Sequence, residues 1–236
     1  MDDDELRRSA ELEQRHWWYS GRRALVRRLM RGVPAGRGID VGPGPGGNAA
    51  VLRSMGWQMT GVELTHTGAL LCASRGVPVV RGDARRLPVP DESVDLVMST
   101  DAWEHIDDDE AVARESFRVL RPGGRLLVAV PAGMELWSGH DVALGHVRRY
   151  ERQGLVDLVE AQGFVIHDIA SWNVLLRPVA RLRRSHNQAA PDEGRSEMEA
   201  VAAPLNAGLR AAVAIESLLP VGRLRGLSLV VRAFRP

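Results

Sequence analysis

Three acidic residues, Asp40, Glu63 and Asp83, each close a short apolar run: Gly38-Ile39-Asp40, Trp57 to Glu63, and Val77 to Asp83. Apolar runs of this length, bounded by turn residues, read as buried strands. The spacing therefore sets three carboxylates at three successive strand ends. A carboxylate so placed accepts hydrogen bonds from a ligand's hydroxyls or amines, or balances a positive charge. Immediately after Asp40 comes Val41-Gly42-Pro43-Gly44-Pro45-Gly46-Gly47-Asn48. Glycines there let the backbone turn tightly and lie against a ligand, and the helix beginning near Asn48 adds unpaired N–H groups. Asp40 would repel a pyrophosphate and suits a cation. A second set of candidates is His140, Asp141 and His146, in a stretch that closes on Arg149 and Tyr150. Imidazole takes up a proton near neutrality, so His140 is the first candidate base. Asp141 is its orienting or amine-binding carboxylate and His146 the second candidate. The same residues, with Arg149, read equally as a polar network that fixes a loop.

These residues need a scaffold, and the chain supplies one. Residues 36–130 carry five strands alternating with helices, which implies a parallel, doubly wound α/β sheet with right-handed crossovers. Ligands of such sheets sit outside the carboxyl ends of the strands, where all the candidates fall. A helical cap spans residues 1–35, with Trp17, Trp18 and Tyr19 at its centre. A loop over 131–150 is followed by a helix over 151–162 and a sixth strand over 164–170. The final strand is expected over 227–233. Between these strands lies an excursion with Arg177, Arg181, Arg183 and Arg184, a mobile stretch over 185–197, and an amphipathic helix over 200–218. The division is one domain, 1–236, in which 36–173 and 225–236 form the core and 174–224 a helical insertion or lid. The arginine-rich part of that insertion reads as a solvated face, a membrane-surface element or an anion site.

Two readings compete at the glycine turn. Gly42, Gly44 and Gly47 satisfy the G-x-G-x-x-G spacing of dinucleotide sites, which keeps a nicotinamide-dependent oxidoreductase open. Asp40, Gly42, Gly44 and Gly46 instead follow an acid-x-G-x-G-x-G pattern. With Asp83, the Leu87-to-Val97 stretch and Arg118-Val119-Leu120-Arg121-Pro122-Gly123-Gly124, the chain resembles the class I S-adenosylmethionine-dependent methyltransferases. The His16-Trp17-Trp18-Tyr19 segment and the pattern H-D-x-x-x-G-H-x-R-R-Y from His140 to Tyr150 resemble a bacterial subgroup of them. The resemblance implies a seven-stranded, Rossmann-like sheet whose last strand runs antiparallel between the fifth and sixth. It implies S-adenosylmethionine as cofactor and S-adenosylhomocysteine as product. Asp40 and the glycines would face the donor, Glu63 would accept both ribose hydroxyls, and Leu64 would cover an adenine face. Asp83 would accept from the adenine amine and the Ala84 backbone would read the ring. Thr100 and Asp101 would border the methionine end. Trp17, Trp18 and Tyr19 either close over the sulfonium or staple the cap to the sheet. Trp137 and Tyr150 are candidate acceptor-side residues. The expected acceptor is a small molecule, methylated at oxygen or nitrogen in bacterial secondary metabolism. Carbon methylation, a lipid or quinone acceptor and a non-catalytic binding protein are the alternatives.

Composition bounds the rest. A formal charge of +1 over 236 residues gives no reason to invoke nucleic acid. All 31 basic residues are arginine, which reads as coding bias. One cysteine, Cys72, excludes an intrachain disulfide framework and a cysteine-rich zinc site, and no metal centre is expected. Without a signal peptide pattern or an apolar run of about twenty residues, the expectation is a cytoplasmic protein. The helix over 200–218 is a candidate homodimer seam.

Overall fold

The computed structural model describes residues 3–187 and 201–236, without the side chains of 185–187. In chain order the elements are α1 (Asp3–Leu12), α2 (Trp17–Leu29), β1 (Arg37–Val41), α3 (Gly47–Ser54), β2 (Gln58–Glu63), α4 (His66–Ser74), β3 (Val79–Arg81), β4 (Val94–Thr100), α5 (Asp109–Val119), β5 (Leu120–Pro131), α6 (Gly139–Leu144), α7 (Arg152–Glu160), β6 (Val165–Trp172), α8 (Arg177–Asn187), α9 (Ala203–Glu216) and β7 (Ser228–Phe234). The seven strands form one sheet in the order β3-β2-β1-β4-β5-β7-β6. β1 to β5 run parallel, and β7 is antiparallel to both neighbours. This is the expected Rossmann-like, doubly wound sheet with its inserted last strand.

Apolar runs without alternation explain why both faces are covered. On β4, Val97 packs into one buried cluster with Val128, Val112 and Leu155. Its neighbours Leu96 and Met98 pack into the other with Leu52, Met59 and Leu25. The order reverses at β1, which lies between β2 and β4. That switch point opens a crevice beyond the carboxyl ends of the strands. Asp40 stands there between Gly61 of β2 and Met98 of β4. Gly61 is small for a reason: a Cβ there would come 2.8 Å from Pro43 of the glycine turn.

Several boundaries differ from expectation. The 131–150 connection contains a 3-10 turn, Met134–Leu136, and α6. α6 starts at a capping box: the Asp141 side chain accepts from the Ser138 backbone N–H, and Ser138 accepts in return. Six residues are too few for a clear helical period, so this region reads as loop. β5 starts at Leu120 because Arg121 to Gly124 form an irregular step in the β4–β5 pairing. Of the stretch expected to be mobile, residues 185–187 continue α8, and the rest lies outside the described residues. α9 begins at Ala203, and its Val213 and Glu216 are buried within the chain. No described helix is long and apolar enough to cross a membrane.

Candidate functional site

The glycine turn is held in conformations that favour glycine: φ is +69° at Gly42, +49° at Gly44 and +86° at Gly46. Gly46 caps α3 without a side chain, leaving the turn open toward the crevice. Asp40 is almost completely buried and accepts from the Ala49 backbone. Its Oδ1 is buried without a hydrogen-bond partner. Burial, with the charges of Glu13 and Glu63 added, raises its carboxyl well above the ordinary range. A buried acceptor short of a partner and surrounded by acids is set to receive a donor or a cation. Glu63 accepts from the Thr65 N–H and hydroxyl at Oε1 and, at 3.3 Å, from the Gly44 N–H at Oε2. Its two oxygens retain acceptor capacity. Leu64 is 60% exposed. Asp83 is paired with Arg85 through Nε and Nη2, and these bonds hold its carboxyl below the usual range. Ala84 packs partly against the core.

At the end of β4, Thr100 Oγ1 accepts from Asn48 Nδ2 at 2.9 Å, which ties strand to helix. Asp101 takes φ +56° while its N–H bonds the Ala129 carbonyl. A non-glycine residue is strained there. Its Oδ1 meets Nη2 of Arg22 at 2.7 Å. Arg22 is buried, also donates to Ser228, and lies 4.3 Å from the ring of Trp172 and 5.3 Å from that of Trp18. Trp18 packs edge-on against Trp172 at 4.8 Å. Tyr19 hydrogen-bonds Ser9 of α1, and the Trp17 N–H donates to Asn206 of α9. These contacts have the geometry of the staple. Arg22 was not singled out from sequence, although its i,i+4 spacing from Trp18 is a usable signal. Glu13 was also missed. It is buried, accepts from the Gly47 N–H at the start of α3 and pairs with Arg75 at 2.7 Å.

The second cluster is built by the segments after β4 and β5. Asp141 is fully buried, and its Oδ1 takes hydrogen bonds from His146 Nδ1 and Arg149 Nε, both at 2.8 Å. Burial would push this carboxyl up. The His146 bond and the Arg149 charge outweigh it and hold the group below the usual range. The partner of Asp141 is thus His146, five residues on, because α6 ends at Gly145 in a left-handed turn that brings His146 back. His140 stands on α6 with its ring centre 6.4 Å from that of His146. The other ring nitrogen of His146, Nε2, is 3.9 Å from Glu104 Oε1. The His105 ring lies 4.8 Å from His146, its Nδ1 against the Gly145 carbonyl. Glu104 is buried with Oε2 unpartnered, and burial followed by the Asp101 charge raises its carboxyl well above the ordinary range. Neither Glu104 nor its burial was expected; the signal is an acid flanked by Trp103 and His105 directly after a strand. Trp137 is half-buried. Tyr150 requires a correction: it is buried in the core and its hydroxyl donates to Asp109 Oδ2, so it is not an acceptor-side donor. A cavity of about 350 Å3 between α2, α9 and β6 contains Arg28, Trp172 and Val213 but none of the strand-end acids.

Known proteins match this arrangement. Residues 39–128 match the methyltransferase domain family model. A probable S-adenosylmethionine-dependent methyltransferase of Mycolicibacterium smegmatis is 29% identical over 161 residues, covering 66% of this chain and 63% of that protein. The chain thus spans under two thirds of that relative's length. Among solved structures, a possible histamine N-methyltransferase from Thermotoga maritima superposes with a TM-score of 0.66 at 23% identity, covering 99% of this chain and 96% of that one. The phosphoethanolamine N-methyltransferase 2 of Haemonchus contortus, solved with S-adenosylmethionine, gives 0.59 at 22% identity, covering 91% and 52%. Sheet order, glycine turn and family match agree: residues 39–128 match a methyltransferase domain, set in a sheet like that of the S-adenosylmethionine-dependent methyltransferases to which the chain is similar.

Proposed function

We propose that this protein transfers the methyl group of S-adenosylmethionine to an oxygen or nitrogen of a small-molecule acceptor, in bacterial secondary metabolism. The observation that carries the reading is the Asp141–His146 hydrogen bond of 2.8 Å at the sheet edge that holds the glycine turn and the strand-end acids. Asp40, with its unpartnered Oδ1, and the Gly42–Gly46 turn would hold the amino-acid end of the donor. Glu63 would take the ribose hydroxyls, Leu64 would cover the adenine, and Asp83 with the Ala84 backbone would read its edge. Thr100 and Asp101 would border the methionine portion. The donor supplies an already activated methyl group, so the chain's task is alignment and proton handling.

An acceptor hydroxyl or ammonium must lose a proton. Ionised Asp141 keeps the proton of His146 on Nδ1, which leaves the Nε2 lone pair as acceptor. His140, on α6 with its ring centre 6.4 Å from that of His146, is the alternative base. Arg149 neutralises Asp141 at the same oxygen and keeps it ionised. Trp137 lines the acceptor side. Calorimetry of the purified chain with S-adenosylhomocysteine and with NAD tests the donor assignment. Heat with the former alone is expected; heat with NAD alone would restore the oxidoreductase reading. His146→Ala should keep donor affinity and lower turnover by about 10²–10⁴-fold. Unchanged turnover would assign the cluster to loop architecture.

A further inference from the structure

We propose that Glu104, His105 and His146 form a binding site for one divalent first-row metal ion, of the zinc or cobalt kind. Each offers one ligand atom, and the three atoms lie within 4.8 Å of one another. They come from two segments, the 3-10 turn Trp103–His105 after β4 and the irregular stretch after α6. The Val147 N–H donates to the Glu104 carbonyl at 2.8 Å, which locks the segments together. Ligands about 2.1 Å from a shared ion stand roughly 3–3.5 Å apart. The 3.9 Å between His146 Nε2 and Glu104 Oε1, and separations of up to 4.8 Å within the group, mean that the side chains must draw together by rotation when the ion enters.

Two further features mark this as more than a chance grouping. First, Glu104 is 1% exposed and its Oε2 has no partner. The cations nearest to it are committed elsewhere, Arg22 to Asp101 and Arg149 to Asp141. A buried carboxylate without a cation is costly, and a divalent ion would satisfy it. Second, both imidazoles are already oriented from behind. His146 Nδ1 is bonded to Asp141 and His105 Nδ1 to the Gly145 carbonyl. That outer shell of carboxylate and carbonyl is what metal-bound histidines use to present Nε2. Two imidazoles and one carboxylate favour a borderline ion over magnesium or calcium, and three protein ligands leave a position open. The open position would take an oxygen of the acceptor. That consequence rests on the methyl-transfer reading; ion binding does not. With an ion present, His146 Nε2 is a ligand, and proton removal falls to the ion's effect on the bound oxygen. The sequence expectation of no metal centre, founded on the single cysteine, does not cover a site of this composition.

The test uses the 236-residue chain without an affinity tag, stripped with a chelator and titrated with Co²⁺ under visible spectroscopy and with Zn²⁺ by calorimetry. One equivalent of each is expected, with d–d absorption for Co²⁺. Glu104→Gln, His105→Ala and His146→Ala should each weaken binding by at least ~10-fold, and Asp141→Asn by about 10–100-fold. His167→Ala, at an exposed position on β6, should leave it unchanged. Circular dichroism and binding of S-adenosylhomocysteine report whether each variant is folded. Absence of stoichiometric binding in the wild type, or equal affinity in folded ligand variants, overturns the site. Metal failure with intact S-adenosylhomocysteine binding leaves the methyltransferase reading standing, and the reverse pattern removes that reading alone.

Discussion

Asp40 carries, when ionised, a cost that a proton or a ligand relieves. Its carboxyl is buried, crowded by Glu13 and Glu63, and held above the ordinary range. A group whose pKa is raised by folding binds more protons folded than unfolded. Its contribution to stability is present below the unfolded value and falls as pH rises toward the folded one. Asp40→Asn should therefore flatten the fall in melting temperature above about pH 4, read by differential scanning fluorimetry of the ligand-free protein. The same substitution should weaken donor binding by about 1–3 kcal/mol, through loss of a charge-assisted contact. A ligand-free melting curve with unchanged pH dependence would remove Asp40 as the strained group. Wild-type donor binding should also release protons as Asp40 ionises, detectable by calorimetry in buffers of different ionisation enthalpy.

The glycine turn and the segment before β1 act as units. Gly46 takes φ +86°, and a Cβ there would approach Cys72 Sγ to 2.9 Å. Gly46→Ala should cost about 1–2 kcal/mol from the backbone alone, visible as a lower urea midpoint, and should weaken donor binding by misplacing the turn. An unchanged midpoint would mean that the turn relaxes freely. The α2 segment works differently. Its Arg22 lies over the packed rings of Trp18 and Trp172 and reaches Asp101, so Trp18, which reads from sequence as part of a candidate ligand cover, has a packing task within the chain. Glu13, at the end of α1, reaches the start of α3 beside Asp40. Both contacts join the N-terminal cap to the crevice, and neither is visible from local pattern, because each spans more than thirty residues.

Across the protein, the insertion before β7 fastens the N-terminal cap. Asn206 of α9 accepts from the Trp17 N–H and donates to the Arg15 carbonyl, and Arg210 donates to the same carbonyl. Asn206→Ala should lower stability by about 1–2 kcal/mol and the melting temperature by about 2–6 °C. Hydrogen exchange should speed up in the first turn of α2 and little elsewhere. Uniform exchange across the sheet would contradict a local strap. The insertion thus has a structural task in addition to any lid role.

Strand ends, glycine turn and a parallel, doubly wound sheet were legible in the sequence, because buried apolar runs and the chirality of crossovers depend on local pattern and chain connectivity; the place of the last strand came only from the family resemblance. That reasoning located Asp40, Glu63, Asp83, Thr100 and Asp101 on one edge. It did not reach the partnerships of the second cluster. Asp141 adjoins His140 in sequence, yet the left-handed turn at Gly145 hands it His146. Tyr150, the last residue of the 131–150 connection, turns inward to Asp109. Glu104 and Arg22 became notable only through their burial, which depends on what distant segments pack around them. Periodicity and composition specify which elements form and in what order, since those follow from neighbours along the chain. Which charged groups meet, and which are left without a partner, follows from packing between segments far apart in sequence, where no local signal exists.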